Sequence, residues 1–213
     1  MRKREVTIPL REINLEGELD LGESGSLVIF AHGSGSSRHS PRNQFVARTL
    51  REAGMGTLLF DLLTAEEEVA EERTAHLRFN IPLLAERLVR ATRWVLDEER
   101  ELRIGYFGAS TGAAAALVAA AQVGDAAGAV VSRGGRPDLA GDALEQVTAP
   151  TLLIVGGDDR AVIPLNEEAY GRLRCEKEMR IVSGASHLFE ESGTLETVAV
   201  LAAKWFAFHL EQA

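Results

Sequence analysis

The sequence predicts an α/β fold, a three-layer sandwich in which helices cover both faces of a mostly parallel sheet. From residue 27 onward, short continuous apolar runs alternate with segments of helical periodicity, and this pattern is typical of parallel strands joined by helices. Before that point, residues 5–10 and 13–19 each alternate apolar and polar side chains, which predicts an antiparallel hairpin at one sheet edge. A chain of 213 residues with 46% hydrophobic and 26% charged residues suits one globular domain spanning residues 1–213.

The elements follow in a regular order along the chain. Strands are predicted at residues 27–31, 57–60, 102–107, 129–132, 151–155 and 179–182, and helices at residues 41–53, 81–97, 111–122, 165–173 and 195–210. The acidic stretch 62–76 is aperiodic and is expected to form a surface loop or a short helix. Ligands of such sheets bind outside the carboxyl ends of the strands, so the residues that follow each strand are the candidates for chemistry.

Charge and composition limit the classes of partner. The net charge of -9, with no basic stripe, argues against a nucleic acid or an anionic membrane as the partner. Cys175 is the only cysteine, so the chain can form no internal disulfide, and we find no signal peptide and no apolar run long enough to span a membrane. We therefore expect a cytoplasmic protein, monomer or homodimer, that acts on a small molecule.

A candidate nucleophile lies at the predicted junction between a strand and a helix. The sequence G-A-S-T-G at residues 108–112 matches the pattern G-x-S-x-G, in which a serine occupies a sharp, strained turn. Side chains two residues before and after Ser110 would clash, so Gly108 and Gly112 allow the turn to close. The alternatives are a plain turn with Ser110 as a helix N-cap, or a phosphate-binding glycine loop that lacks the usual nucleotide spacing.

A serine hydroxyl needs a base, and the base needs an orienting acid. Of the five histidines, His187 is the best candidate for the base because it follows the last predicted strand and so shares the sheet edge with Ser110. Two adjacent aspartates, Asp158 and Asp159, follow the preceding strand, and only one of them can point at the histidine. The spacing alone leaves the choice between them open, and the pair could also cap the following helix.

Acyl transfer also requires two backbone N–H donors that face the developing oxyanion. We expect one from Thr111, which follows the nucleophile, and the other from Ser34 in the Gly/Ser-rich loop after the first buried strand. His39 in the same loop could line the site. Arg133 follows another strand and could bind an anionic substrate group, but pairing with Asp138 or Asp142 is the favoured interpretation.

These residues resemble the α/β-hydrolase superfamily over nearly the whole chain, and more narrowly its small lidless, dienelactone-hydrolase-like members. The closer similarity lies in F-A-H-G-S-G-S-S-R at residues 30–38, S-R-G-G-R-P at 132–137 and G-A-S-H-L-F-E at 184–190. The chain order Ser110, Asp159, His187 is that of the superfamily, whose acid-loop pattern favours Asp159 over Asp158. Dienelactone hydrolase itself has a cysteine at the position of Ser110, and relatives of this type sometimes occur fused to a phosphoribosyltransferase domain.

The resemblance implies hydrolysis of an ester, lactone or thioester through an acyl-serine intermediate, with no metal and no organic cofactor. Only a short stretch separates residue 132 from Asp159, which leaves no room for a large lid. The alternative from another class is a noncatalytic binding or regulatory module on a hydrolase scaffold.

Overall fold

The sheet forms as the apolar pattern predicts. The structure is a computed structural model that describes residues 3–74, 76–99 and 101–211. These residues form an eight-stranded sheet in the order β1-β2-β4-β3-β5-β6-β7-β8. The strands are β1 Arg4–Leu10, β2 Ile13–Gly22, β3 Ser26–Ala31, β4 Met55–Phe60, β5 Arg103–Ala109, β6 Ala127–Arg133, β7 Thr151–Gly156 and β8 Lys177–Val182.

The two ends of the sheet differ in strand direction. β1 pairs with β2 and β2 with β4 in antiparallel register, which confirms the predicted N-terminal hairpin. Every other pair, from β4–β3 to β7–β8, is parallel. The carboxyl ends of β3, β5, β6, β7 and β8 therefore meet at one edge, which is the edge where ligands of such sheets bind.

Helices cover both faces of this sheet and divide the core into two apolar layers. The helices are α1 Pro41–Glu52, α2 Ala65–Thr74, α3 Ile81–Glu98, α4 Thr111–Val123, α5 Ile163–Arg172 and α6 Thr194–Glu211. Side chains of α1 and α6 pack on one face, and those of α3, α4 and α5 pack on the other. The alanine-rich α4 is buried along most of its length because small side chains let it approach the sheet closely.

Two local features differ from the predicted elements or refine them. The acidic stretch contains the helix α2, followed by a short 3₁₀ turn at Leu77–Phe79. A 3₁₀ segment at Pro137–Gln146, absent from the predicted elements, fills the connection between β6 and β7. Among the described residues, no helix is both long and apolar enough to cross a membrane.

Candidate active site

The turn between β5 and α4 holds Ser110 in an unusual backbone conformation. Its φ and ψ are 51° and -122°, a backbone conformation that residues other than glycine rarely adopt. A Cβ on Gly112 would lie 2.1 Å from the Ala31 carbonyl oxygen, and one on Gly108 would lie 2.5 Å from the Ala113 Cα. The glycines are therefore required by close packing of the turn, as the motif predicts.

Backbone hydrogen bonds to the end of β6 and to the loop that follows it fix this turn. The Ser110 amide donates to the Arg133 carbonyl at 3.3 Å, and the Ser110 carbonyl accepts from the Arg136 amide at 3.0 Å. The Ser110 side chain makes no capping hydrogen bond to α4, so the plain N-cap interpretation does not describe it. The backbone is fixed while the hydroxyl stays available for other partners.

His187 and Asp159 form a direct pair. The His187 Nδ1 lies 2.6 Å from the Asp159 Oδ2, and the Asp159 side chain is only 11% exposed. An Nδ1–H that donates to this carboxylate leaves Nε2 as the basic nitrogen of the imidazole. Asp158 is exposed, and its amide donates to the Ala185 carbonyl, so the structure brings Asp159 rather than Asp158 to the histidine.

Ser110 and His187 line one cavity of about 180 Å³ at the carboxyl edge of the sheet. Other residues on its wall are Gly33, Ser34 and Leu188, so the loops after β3, β5 and β8 converge there. This juxtaposition of a strained serine with an oriented imidazole is what nucleophilic acyl transfer requires.

The structure also brings together Ser34 and Thr111, the two predicted oxyanion donors. Their hydroxyl oxygens, Ser34 Oγ and Thr111 Oγ1, lie 3.1 Å apart. Thr111 is the first residue of α4, where backbone N–H groups have no intrahelical acceptor. Within residues 3–74, 76–99 and 101–211, neither the Ser34 amide nor the Thr111 amide has a hydrogen-bond acceptor.

His32 fixes the loop that carries Ser34. Its Nε2 accepts a hydrogen bond from the Leu62 amide at 2.9 Å, so Nδ1 carries the proton and donates to the Gly33 carbonyl at 3.0 Å. Burial lowers the pKa of the His32 imidazole, and the ring is therefore neutral in the folded protein. His32 therefore belongs to the architecture of this loop.

The structure does not bring His39 to the cavity. Its side chain is 63% exposed, and its Nδ1 lies 3.9 Å from the Glu18 carboxylate on β2. His39 lies in the turn that follows Ser37 and is not among the residues that line the cavity. The expectation that it lines the site is corrected.

The favoured interpretation of Arg133 is also wrong. Asp138 pairs with Arg136, at 2.9 and 2.7 Å, and Asp142 pairs with Arg172 at 2.9 Å. Arg133 instead lines the cavity that contains Ser110 and His187. Arg42, at the start of α1, lines it too, although no sequence motif singled it out.

A larger cavity of about 890 Å³ lies on the other side of the Gly/Ser-rich loop and contains neither Ser110 nor His187. Its wall carries several carboxylates, including those of Glu12, Asp61 and Glu68. Size alone would favour this cavity, but the candidate nucleophile Ser110 and the candidate base His187 line the smaller one. We therefore locate the candidate active site by its chemistry.

Comparison with known proteins agrees with this architecture. A family model described as an alpha/beta hydrolase domain matches residues 24–201. The structure of a dienelactone hydrolase from Anabaena variabilis is 54% identical, with a TM-score of 0.95 over 98% of both chains. A lidless α/β serine hydrolase from Xanthomonas campestris has a TM-score of 0.79 at 18% identity, covering 99% of this chain and 96% of its own, and indicates the fold alone.

Two curated relatives differ from this chain in length. They are Mycobacterium tuberculosis proteins from two strains, provisionally named phosphoribosyl transferases, and each is 53% identical over 213 residues. The match covers 99% of this chain and 47% of each relative, so the chain spans about half their length.

Proposed function

The chain belongs to the α/β-hydrolase family, and from that premise we propose that it is a serine hydrolase of small-molecule esters, lactones or thioesters. The observation that carries the proposal is the cavity shared by Ser110, in its strained turn, and His187, whose Nδ1 lies 2.6 Å from Asp159. The dienelactone-hydrolase-like fold supports hydrolase activity in general. The ester bond and the roles of individual residues are our inference.

In the proposed reaction, the Ser110 Oγ attacks the acyl carbon while the His187 Nε2 takes the hydroxyl proton. Asp159 stabilises the imidazolium that forms, and the amides of Ser34 and Thr111 bind the oxyanion of the tetrahedral intermediate. His187 then protonates the leaving alcohol or thiol, which leaves an acyl-serine. A water molecule, deprotonated by His187, attacks the acyl carbon and releases the carboxylic acid with Ser110 restored.

The name of the curated relatives applies to proteins about twice as long as this chain. This chain corresponds to about half of each relative, and it carries Ser110, Asp159 and His187. We therefore propose hydrolysis, and not phosphoribosyl transfer, as the activity of this chain. The noncatalytic alternative is not favoured by any feature of the cavity, whose wall includes both the nucleophile and the base.

Two neighbouring aspartates provide a matched test of this mechanism. We expect Asp159→Asn to lower kcat on an activated ester by about 10³-fold or more, because the imidazole loses its orienting carboxylate. Asp158→Asn removes an exposed carboxylate of the same loop and should change kcat by less than about twofold. Steady-state hydrolysis of 4-nitrophenyl esters measures both. Equal effects of the two substitutions would contradict the proposed triad.

A further inference from the structure

The Arg133 guanidinium has an exceptional environment in the candidate active site. The residue is 6% exposed, and its Nε is buried with no hydrogen-bond partner among the described residues. Its nearest polar partner is the neutral Asn43 Oδ1, 3.4 Å from Nη2, and the Phe189 ring centroid lies 5.9 Å from Cζ. A buried charge without a countercharge destabilises the fold unless a ligand compensates for it.

Local packing gives no structural reason for this cation. Arg133 is the last residue of β6 and pairs in register with Ala109 of β5, where an apolar side chain would serve the sheet equally well. Burial, and then the charge of Arg42, lowers the pKa of Arg133 to about 10. The guanidinium stays protonated at neutral pH, but its environment favours the charged form less than water does.

Arg42 adds a second cation to the same wall. Its Nη1 lies 3.1 Å from the exposed Glu190 carboxylate, while its Nε is buried without a hydrogen-bond partner among the described residues. Ser40 and Arg42 also bring the N-terminus of the 12-residue helix α1 to the cavity, and a helix N-terminus carries partial positive charge.

The cavity wall as a whole is cationic. Eleven described residues line it, and they include the two arginines but no aspartate or glutamate. This is the reverse of the chain's net charge of -9. Both arginines line the same cavity as Ser110 and His187.

We propose that Arg133, assisted by Arg42, forms an anion-binding subsite beside Ser110, and that the substrate carries a carboxylate or phosphate group near its scissile bond. Guanidinium groups match the geometry of both oxyanions. A cavity of about 180 Å³ suits a small anionic group beside Ser110. This inference rests on the proposed ester hydrolysis and specifies its substrate class.

A competing role would be general stabilisation of the reaction's oxyanion by Arg133. That role would accelerate the hydrolysis of neutral and anionic esters equally. A subsite for the substrate's own charge discriminates between them, so the ratio of kcat/KM for a charged and a neutral ester separates the two roles.

The main experiment compares matched esters. 4-Nitrophenyl hemisuccinate and 4-nitrophenyl 3-phosphonopropanoate carry the charge on the acyl side, with 4-nitrophenyl butyrate as the neutral reference. Carboxymethyl butyrate carries it on the alcohol side, with methyl butyrate as the reference. We expect kcat/KM to favour at least one anionic ester, and Arg133→Met to lower that preference about tenfold to a hundredfold. The anionic ester that is hydrolysed preferentially shows whether the subsite favours a carboxylate or a phosphate-like group.

A matched control separates the subsite from the general field of the protein. Arg48 lies on the same helix as Arg42 but is exposed and does not line the cavity. Arg48→Met should therefore leave the ratio within about twofold of the parent. A ratio that does not change in Arg133→Met, or one that changes equally in Arg48→Met, would overturn the proposal.

A direct binding measurement tests the subsite without turnover and without relying on the folding of Arg133→Met. Calorimetry on the Ser110→Ala protein should detect binding of succinate or inorganic phosphate. Binding of neither anion would overturn the subsite. Hydrolysis of neutral esters without any charge preference would reject the subsite alone, whereas the absence of all Ser110-dependent hydrolysis would reject the proposed function.

Discussion

At the scale of single residues, the backbone of Ser110 is the clearest sign that this turn serves a purpose other than stability. Its φ of 51° costs on the order of 1–3 kcal/mol in a residue that has a Cβ. The packing of the glycines at positions 108 and 112 maintains that conformation. Strain retained at a turn that presents a hydroxyl to a cavity fits the proposed role as nucleophile.

Removing the Cβ should release this strain. We expect Ser110→Gly to be more stable than Ser110→Ala by about 1 kcal/mol, after allowing for the greater chain entropy of glycine in the unfolded state. Both substitutions remove the hydroxyl and should abolish hydrolysis. Urea unfolding of the two variants measures the difference. A glycine variant less stable than the alanine variant would show that the turn is not strained.

His32 gives a prediction about pH. Burial lowers the pKa of its imidazole, so the unfolded chain binds a proton there at a higher pH than the folded protein does. The free energy of unfolding should therefore fall as the pH drops below about 6.5, the ordinary pKa of histidine.

A comparison of variants isolates this effect. His32→Leu should be less stable than the parent at pH 8, because the Leu62 amide loses its acceptor. The difference should narrow between pH 8 and pH 5, since the variant has no imidazole to protonate. Denaturant unfolding at the two pH values measures the difference in free energy of unfolding between the variant and the parent. A difference that widens on acidification would contradict a buried, neutral imidazole at His32.

At the scale of elements, a bidentate ion pair attaches α2 to α3. The Arg87 guanidinium donates to both Glu67 carboxylate oxygens, at 2.7 and 2.6 Å, and also to the Leu62 carbonyl. Burial opposes ionisation of Glu67, but the hydrogen bonds from Arg87 outweigh it and hold the pKa of Glu67 below its usual range. The attachment is thus present above about pH 5 and is lost as the pH falls below about 4.

We expect Glu67→Gln to loosen α2 without unfolding the sheet. The amides of α2 should exchange with deuterium about tenfold faster at pH 7, because a charged bidentate contact is replaced by a weaker neutral one. Glu66→Gln, at an exposed neighbouring position, provides the control. Hydrogen exchange read by mass spectrometry distinguishes them, and identical exchange in both variants would mean that α2 is held by other contacts.

The elements also show what a sequence pattern can and cannot predict. Apolar runs predicted the central strands well because strands such as β3, β4 and β7 are buried on both faces. The 3₁₀ segment Pro137–Gln146 has no such periodicity, and it follows from how the chain crosses from β6 to β7. The acidic stretch, expected to be a surface loop or a short helix, contains the helix Ala65–Thr74, and the pairing of its Glu67 with Arg87, distant in sequence, could not be predicted.

At the scale of the whole molecule, the parallel sheet assembles the candidate site. The carboxyl ends of β5, β7 and β8 bring Ser110, Asp159 and His187 to one edge. Their positions after predicted strands indicated this common edge, whereas the choice of Asp159 over Asp158 came from the family resemblance. The environment of Arg133 could not be predicted, because it depends on the pairing of Asp138 and Asp142 with other arginines, Arg136 and Arg172. His39 likewise escaped prediction, since proximity in sequence to Ser34 does not fix the direction of a side chain.

The central claim is that Ser110 is an activated nucleophile in an accessible cavity. The most direct measurement is labelling with a fluorophosphonate probe, followed by the intact mass of the protein. We expect one adduct on the parent chain and on Ser36→Ala, which alters another serine of the same cavity wall, and none on Ser110→Ala. A folded parent chain that forms no adduct, or a Ser110→Ala variant that still forms one, would contradict the account.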